Sequence, residues 1–275
     1  LGISLSPSIS HGRWYVPRCK RFLRSIFMNL RIIFGLIILT ATLRTVAQET
    51  PESWPSPVKD TLNGIVLFDR LEVARNNREE NIAVWDMIAW YGGDTYRLYF
   101  KSEGENKQND GEPTDIERAE LLASRLIAPF WEIQVGIGAR GELTSDSNME
   151  NYAVISLFGM APYQFEVDSS LIINEEGDVS VSMEAEYDYR ISQTSYLQPR
   201  ISLSASLSES ERFDRPSGFN SIRVGLRYRM EVSREFAPYI GAYWSRALGN
   251  SADNLRGLGD PVHEAGVVLG ARVWF

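Results

Sequence analysis

The stretch His263-Glu-Ala-Gly-Val-Val-Leu-Gly-Ala-Arg-Val-Trp-Phe275 decides the fold. Counted back in twos, Phe275, Val273, Ala271, Leu269, Val267 and Ala265 share one face. Trp274, Arg272, Gly270, Val268, Gly266 and Glu264 share the other. A period of two is the strand period, because successive side chains point to opposite sides. One face is apolar throughout, and the other carries an Arg and a Glu. A soluble sandwich would bury the apolar face in a core. An outer-membrane barrel would turn it to lipid and would finish on an aromatic residue such as Phe275. This strand alone suits both, so the rest of the chain has to decide.

The preceding strands repeat the pattern. In 219–232, Ile222, Val224, Leu226, Tyr228 and Met230 oppose Ser221, Arg223, Gly225, Arg227, Arg229 and Glu231. In 194–208, Leu197, Pro199, Ile201, Leu203, Ala205 and Leu207 oppose Gln198, Arg200, Ser202, Ser204 and Ser206. In 178–190, Val179, Val181, Met183, Ala185, Tyr187 and Tyr189 oppose Ser180, Ser182, Glu184, Glu186, Asp188 and Arg190. In 131–142, Trp131, Ile133, Val135 and Ile137 oppose Glu132, Gln134, Gly136, Gly138 and Arg140. Arg, Glu, Ser and Gly with little Lys make an unusual face to show to water. Gly and Ser suit a crowded interior, where Arg and Glu pair across it.

About twelve strands are expected, an even number as in bacterial barrels. They lie near 64–75, 82–91, 95–104, 116–127, 131–142, 151–160, 163–174, 178–190, 194–208, 219–232, 238–248 and 263–275. The stretch Ile116–Ile127 would suit a helix by propensity, and its context makes it a strand. Elsewhere no helical period is sustained. Odd-numbered connections include the long polar ones, Glu105–Asp115, Glu209–Gly218 and Gly249–Val262. Even-numbered ones are tight, at Gly92-Gly93-Asp94, Ala128-Pro129-Phe130, Ala161-Pro162-Tyr163 and Ala237-Pro238-Tyr239. Short turns at one end and long loops at the other are the asymmetry of outer-membrane barrels, with both termini periplasmic and the long loops outside. A closed barrel also leaves no unpaired strand edge in lipid. The expected fold is therefore all-β, an antiparallel transmembrane barrel in the outer membrane of a Gram-negative bacterium. Outer-membrane lipid is its first partner.

The front of the chain reads as targeting sequence. Residues 28–47, MNLRIIFGLIILTATLRTVA, carry an early Arg31, an apolar run from Ile32 and small residues before Gln48, as a signal peptide cleaved after Ala47 would. Residues 1–27 read either as an upstream extension or as a long basic n-region. Residues 48–62 form a short proline-containing leader before a barrel over 63–275. A net charge of −8 argues against nucleic acid. The single cysteine, Cys19, falls before the mature start, so no internal disulfide forms. Two histidines, His11 and His263, exclude a His-rich metal cage.

Several blocks, in order, resemble one family. They are Val84-Trp-Asp-Met-Ile-Ala-Trp-Tyr-Gly-Gly-Asp94, Arg97-Leu-Tyr-Phe-Lys-Ser-Glu-Gly-Glu105, Ser124-Arg-Leu-Ile-Ala-Pro-Phe-Trp131 and Gly159-Met-Ala-Pro-Tyr-Gln-Phe-Glu166. Leu197-Gln-Pro-Arg200, Gly225-Leu-Arg-Tyr-Arg-Met-Glu231, Arg234-Glu-Phe-Ala-Pro-Tyr239 and Gly270-Ala-Arg-Val-Trp-Phe275 follow. Together they resemble the copper resistance protein B (CopB) family of outer-membrane proteins, over roughly 62–275. The resemblance implies a barrel that helps rid the periplasm of excess copper, by export or by holding the ion, with a periplasmic multicopper oxidase as expected partner. The chain departs from the family where members often carry a Met- and His-rich segment, because residues 48–62 contain neither residue. The family also tends to be polar where this chain has Ile88, Phe158 and Tyr243.

By parity the interior receives an acidic wall of Glu132, Glu166, Asp168, Glu184, Glu186 and Asp188. It also receives a basic wall of Arg200, Arg223, Arg227, Arg229 and Arg272. These charges either pair across the lumen and plug it, or line a path for cations, which a transverse field can select. The alternative to copper handling is a generic or structural channel with a salt-bridged lumen. Met87, Met183 and Met230 fall on the lipid side, which leaves His263, Met160 and Met149 as weak copper-ligand candidates. Lipid hydrolysis would need a serine beside a histidine. The chain has no Gly-x-Ser-x-Gly and one histidine after the leader, so no enzyme is expected. Phe275 is read as the signal for the barrel-assembly machinery.

Overall fold

Side chains alternate between apolar and polar along nearly every strand, so each strand needs two different environments. The computed structural model describes residues 61–107, 113–143, 149–210, 212–213 and 215–275. The expected extension, signal peptide and most of the leader, residues 1–60, lie outside them. The strands are β1 (Asn63–Asn76), β2 (Asn81–Gly92), β3 (Tyr96–Lys107), β4 (Thr114–Ala128), β5 (Trp131–Leu143), β6 (Glu150–Ala161) and β7 (Phe165–Asn174). They continue as β8 (Val179–Tyr187), β9 (Tyr189–Arg190), β10 (Ser195–Ser206), β11 (Gly218–Met230), β12 (Phe236–Ala247) and β13 (His263–Trp274). The two-residue β9 continues β8 past Asp188, and both pair with β10, so thirteen segments make twelve staves. Each stave pairs antiparallel with its neighbour in sequence, and β13 pairs with β1 through Leu71↔Ala271 and Glu72↔Gly270. The ring is closed, with no free edge.

The two faces differ as the alternation requires. On β13, Val267 and Leu269 point out and are 62% and 66% exposed, while Val268 between them points in at 4%. A continuous apolar outer face on a closed ring is what a hydrocarbon environment demands. Outward aromatics crowd the end that holds the short turns, with Tyr91, Tyr96, Phe130, Tyr163 and Phe275 all exposed there. The interior is not uniformly polar. Tyr99, Leu122, Tyr152, Val154 and Ile172 cluster with Ile88 and Trp90, and Ala74, Ile82 and Val268 cluster with Val84 and Tyr243. Phe158 meets Tyr99 edge-on at 6.2 Å between ring centroids. Ile88, Phe158 and Tyr243, the positions where the family tends to be polar, thus all help to fill the lumen.

Two of the register irregularities bring adjacent charged residues inward together. Between Phe68 and Arg70 the β1–β2 register skips Asp69, so Asp69 and Arg70 both turn inward and are 9% and 4% exposed. On β4 the register to β3 skips Glu117, which brings Glu117 and Arg118 to the same cavity. A bulge adds one residue to one strand only. The physical reason is plain in a membrane, because adjacent charges cannot alternate when one of them would face lipid.

Two connections differ from expectation. Gly249–Leu258 is a helix, α1, where a loop was expected. Its glycines and asparagines are poor helix formers. What holds it is the burial of Ala252 and an end at Gly259, whose φ of 84° lets Gly259 and Asp260 donate back to Arg256 and Leu255. Ala237-Pro238-Tyr239 lies inside β12 rather than in a turn. The β11 ladder ends at Tyr239, so Pro238 sits one residue beyond it, where a missing N–H costs least. The other two Ala-Pro-aromatic sequences do form turns, with Phe130 and Tyr163 in the left-handed region at φ 68°.

Candidate functional site

The interior is crossed by a network of buried ion pairs. Arg200 on β10 is its hub. Its guanidinium lies 3.2 Å from Asp69, 3.0 Å from Asp86, 2.5 Å from Glu184 and 3.8 Å from Glu186. Arg70 binds Asp86 at 3.1 Å and also Glu103. Arg118 reaches Glu103 and Asp168, each at 3.1 Å. Lys101, wholly buried, donates to Asp168 at 2.8 Å and lies over the Phe158 ring at 4.9 Å. Taking such charges from water costs several kcal/mol each, so they persist only because each has opposite partners and directed hydrogen bonds.

Further pairs brace the wall on either side. Arg272 meets Asp69 at 3.2 Å and Asp188 at 4.0 Å, and Arg229 meets Asp188 at 2.6 Å. Arg227 donates to Glu72 at 2.5 Å, and the Tyr239 hydroxyl donates to the same oxygen at 3.0 Å. Arg223 crosses to Glu117 at 3.5 Å and Glu105 at 3.6 Å. Glu132 is held by Arg97 at 2.7 Å and by the Ser124 hydroxyl at 2.6 Å.

The network separates two cavities. The larger, about 560 Å³, opens towards the long connections, with Ser245, Val262 and Glu264 near its rim. The smaller, about 40 Å³, lies on the side of the short turns between Leu67, Ile88, Phe158, Glu166, Glu186 and Arg272. Arg118, Asp168, Glu184 and Arg200 border both and form the partition. A belt of hydroxyls, four of which line the larger cavity, runs round part of the wall. Ser156, Ser170, Ser182, Ser204 and Ser221 are successive cross-strand partners on β6, β7, β8, β10 and β11. The first two hydroxyls bond at 2.8 Å and the last two at 2.7 Å.

Every charged residue expected on the two walls has its place in this account, and all but Glu166 take part in the ion pairs described. Glu166 faces Glu186 directly across β7 and β8 in the small cavity. The parity reading had not included Asp69, Asp86, Lys101, Glu103 or Arg118, so acids and bases are mixed around the ring rather than sorted to opposite walls. The adjacent charges Asp69-Arg70 and Glu117-Arg118 were the available signal, since only a bulge keeps both members of such a pair out of lipid.

The three weak copper-ligand candidates do not come together. Met149 precedes β6 and Met160 is its last residue but one, so they are on the order of 36 Å apart along one strand. His263 opens β13, opposite Arg246. Among the described residues, no group of three or more His, Cys, Asp and Glu has the geometry to hold a metal ion. Met183 and Met230 are 45% and 49% exposed on the outer face, and Met87 shares that side on β2. A resident copper ion does not fit these residues. The interior offers carboxylates, each engaged by or close to a guanidinium, and hydroxyls, which are poor partners for copper.

The structure of NanC porin has a TM-score of 0.49 at 10% identity, over 76% of this chain and 98% of that one. Outer membrane phospholipase A from Escherichia coli has a TM-score of 0.46 at 11% identity, over 77% of this chain and 92% of that one. By sequence, the copper resistance protein B of Escherichia coli is 33% identical over 214 residues, which is 78% of this chain and 70% of that protein. A copper resistance protein B homolog of Pseudomonas syringae pv. tomato is 30% identical over the same shares. The family described as copper resistance protein B precursor (CopB) matches residues 62–275, the whole barrel. The chain is an outer-membrane β-barrel that belongs to the copper resistance protein B family.

Proposed function

We propose that this barrel contributes to copper resistance by passing copper out of the periplasm, with the ion as cargo rather than as a resident ligand. The observation that carries the reading is the cluster of four carboxylates, Asp69, Asp86, Glu184 and Glu186, around the single guanidinium of Arg200. Arg70 shares Asp86 and Arg272 shares Asp69, but Glu184 and Glu186 meet Arg200 alone among the described ion pairs, and that surplus of acid favours a further positive charge. The partition of ion pairs is then a gate, and the cavity beyond it, open to the long connections, is the exit on the cell surface. Residues without soft ligands suit transit, because a tight site would trap the ion. No catalytic step is assigned to the barrel. A periplasmic multicopper oxidase is the partner that would hand it Cu(II), and the barrel-assembly machinery would recognise Phe275.

The test is copper flux. Refolded barrel in vesicles loaded with a copper-sensitive dye should admit Cu(II), and Arg200→Gln should admit it faster. Cu(II) spectroscopy of the barrel in detergent should show only weak sites. Vesicles that admit no copper with either protein would overturn the reading. They would leave the second one, a structural barrel sealed by its salt bridges, which the complete pairing around Arg200 favours.

A further inference from the structure

The outer face of the barrel carries few charges, and their placement is not even. By strand alternation, the exposed basic residues in phase with the apolar outer face are Arg75 on β1, Arg246 on β12, His263 on β13 and Arg125 on β4. The first three stand on three consecutive staves, since the ring runs β12-β13-β1. All three lie at the end of the long connections, whereas Arg125 lies at the other end against Tyr96. Arg246 and His263 are direct cross-strand partners. Arg75 pairs with Val267, four positions further along β13, so Arg75 and Arg246 are on the order of 16 Å apart.

Between them the surface is a shallow apolar trough. Ala265 and Val267 on β13 and Ala242 on β12 form its floor, in register through Ala242↔Val267 and Trp244↔Ala265. Trp244, 39% exposed, stands beside Arg246 as one wall. Below, Leu269 and Ile240 continue the apolar surface at 66% and 60% exposure. Arg75 is 61% exposed, and its one pair, to Glu79 at 3.7 Å, is itself open to water and so is easily exchanged.

We propose that this surface binds one outer-leaflet lipid, a glycolipid whose headgroup carries more than one phosphate. Arg75 and Arg246 take separate phosphates, His263 hydrogen-bonds between them, and an acyl chain lies over Ala265, Val267 and Ala242. The argument is charge complementarity at the right depth. Long connections mark the outer side of such barrels. A cation beside an apolar groove there meets a negatively charged headgroup and its chains together, and each basic group near the surface adds about 1 kcal/mol of attraction. The spacing of the two arginines is too wide for one phosphate and suits a headgroup that bears two. This site is on the outside of the wall and is independent of what passes through the lumen.

Barrel extracted from outer membranes in mild detergent, and weighed intact by native mass spectrometry, tests it. The wild-type protein should retain a phosphorylated glycolipid. The double variant Arg75→Gln/Arg246→Gln should retain about thirtyfold less. Arg125→Gln, at the opposite end, should retain as much as wild type. Migration of unheated samples on a denaturing gel confirms that each variant is a folded barrel. Wild-type protein that carries no phosphorylated glycolipid, or carries only phosphatidylglycerol or cardiolipin, overturns the proposal. So does equal retention by the double variant.

Discussion

Arg200 and Asp86 stand five staves apart on a ring of twelve, yet Nη2 of one lies 3.0 Å from Oδ2 of the other. The path round the wall is β10, β11, β12, β13, β1, β2, close to half the circumference. A side chain from one wall therefore completes the hydrogen bonding of a carboxylate on the other. Such a contact both braces the barrel and blocks it, and one residue serves both ends.

Arg200→Gln should separate these roles. It leaves Asp69, Asp86 and Glu184 buried without their shared cation, and breaking a buried pair in this way costs about 3–5 kcal/mol. The urea or thermal midpoint should fall accordingly. In planar bilayers the variant should conduct more than wild type, and its reversal potential in a salt gradient should favour cations. Arg200→Lys, which keeps the charge, should lie near wild type in selectivity. A variant with wild-type conductance would show that the partition closes without Arg200.

The hydroxyl belt makes a smaller, cleaner prediction. Ser204 and Ser221 share a hydrogen bond of 2.7 Å on adjacent staves. Changing one to Ala strands its partner and should cost about 1 kcal/mol. Changing both should cost little more than changing one, because the second substitution removes a group already left unsatisfied. A double-mutant cycle on unfolding free energy measures the coupling, and strict additivity would mean that water satisfies each hydroxyl alone.

How much of this was legible in the sequence depends on which symmetry each feature obeys. Period-two alternation placed most of the twelve staves, and the context of its neighbours placed Thr114–Ala128, whose composition favours a helix. It failed where one residue is inserted. The bulges at Asp69 and Glu117 hid Asp69 and Arg118, because parity counts past an inserted residue wrongly, whereas Asp86, Lys101 and Glu103 stand in unbroken register on β2 and β3, whose charged residues had not been sorted by alternation. It also missed α1, whose stability comes from Ala252 and the turn at Gly259 rather than from helical periodicity. Which acid meets which base was not legible at all. That depends on how far round the ring each side chain stands, and a linear count of residues does not contain it.

The turn between β7 and β8 lies beyond the spanning strands and should respond to acid. Asn151 donates to the Glu175 carboxylate at 3.1 Å and Arg212 at 2.6 Å, and these bonds hold its pKa below the ordinary 4.5. A carboxylate with a lowered folded pKa stabilises its contacts fully above the unfolded value and loses them as pH falls through the lowered one. Amide exchange in residues 174–178 should thus be steady at neutral pH and should rise, relative to the intrinsic rate, only below 4.5. Glu175→Gln should remove that acid step. A variant that keeps it would assign the step to Asp178, whose carboxylate pKa is also lowered, by the nearby Ser210 hydroxyl and by the hydrogen bond from Asn174.

Phe275 closes the ring, and this gives its loss a direct physical meaning. Its N–H donates to Val66 O at 2.9 Å and its carbonyl accepts from Val66 N at 3.1 Å, so the last residue and the first strand exchange both ladder bonds. Its ring is 74% exposed on the outer face, among the aromatics at the short-turn end. Removing Phe275 forfeits about 2 kcal/mol of backbone bonding and one aromatic anchor at the interface. A substitution to Ala keeps the backbone bonds and loses only the ring. If the ring is what the assembly machinery reads, Phe275→Ala and the deletion should lower the assembled barrel in isolated outer membranes equally. If closure is what matters, the deletion alone should do so. Equal, wild-type amounts of heat-modifiable barrel for both would exclude either role.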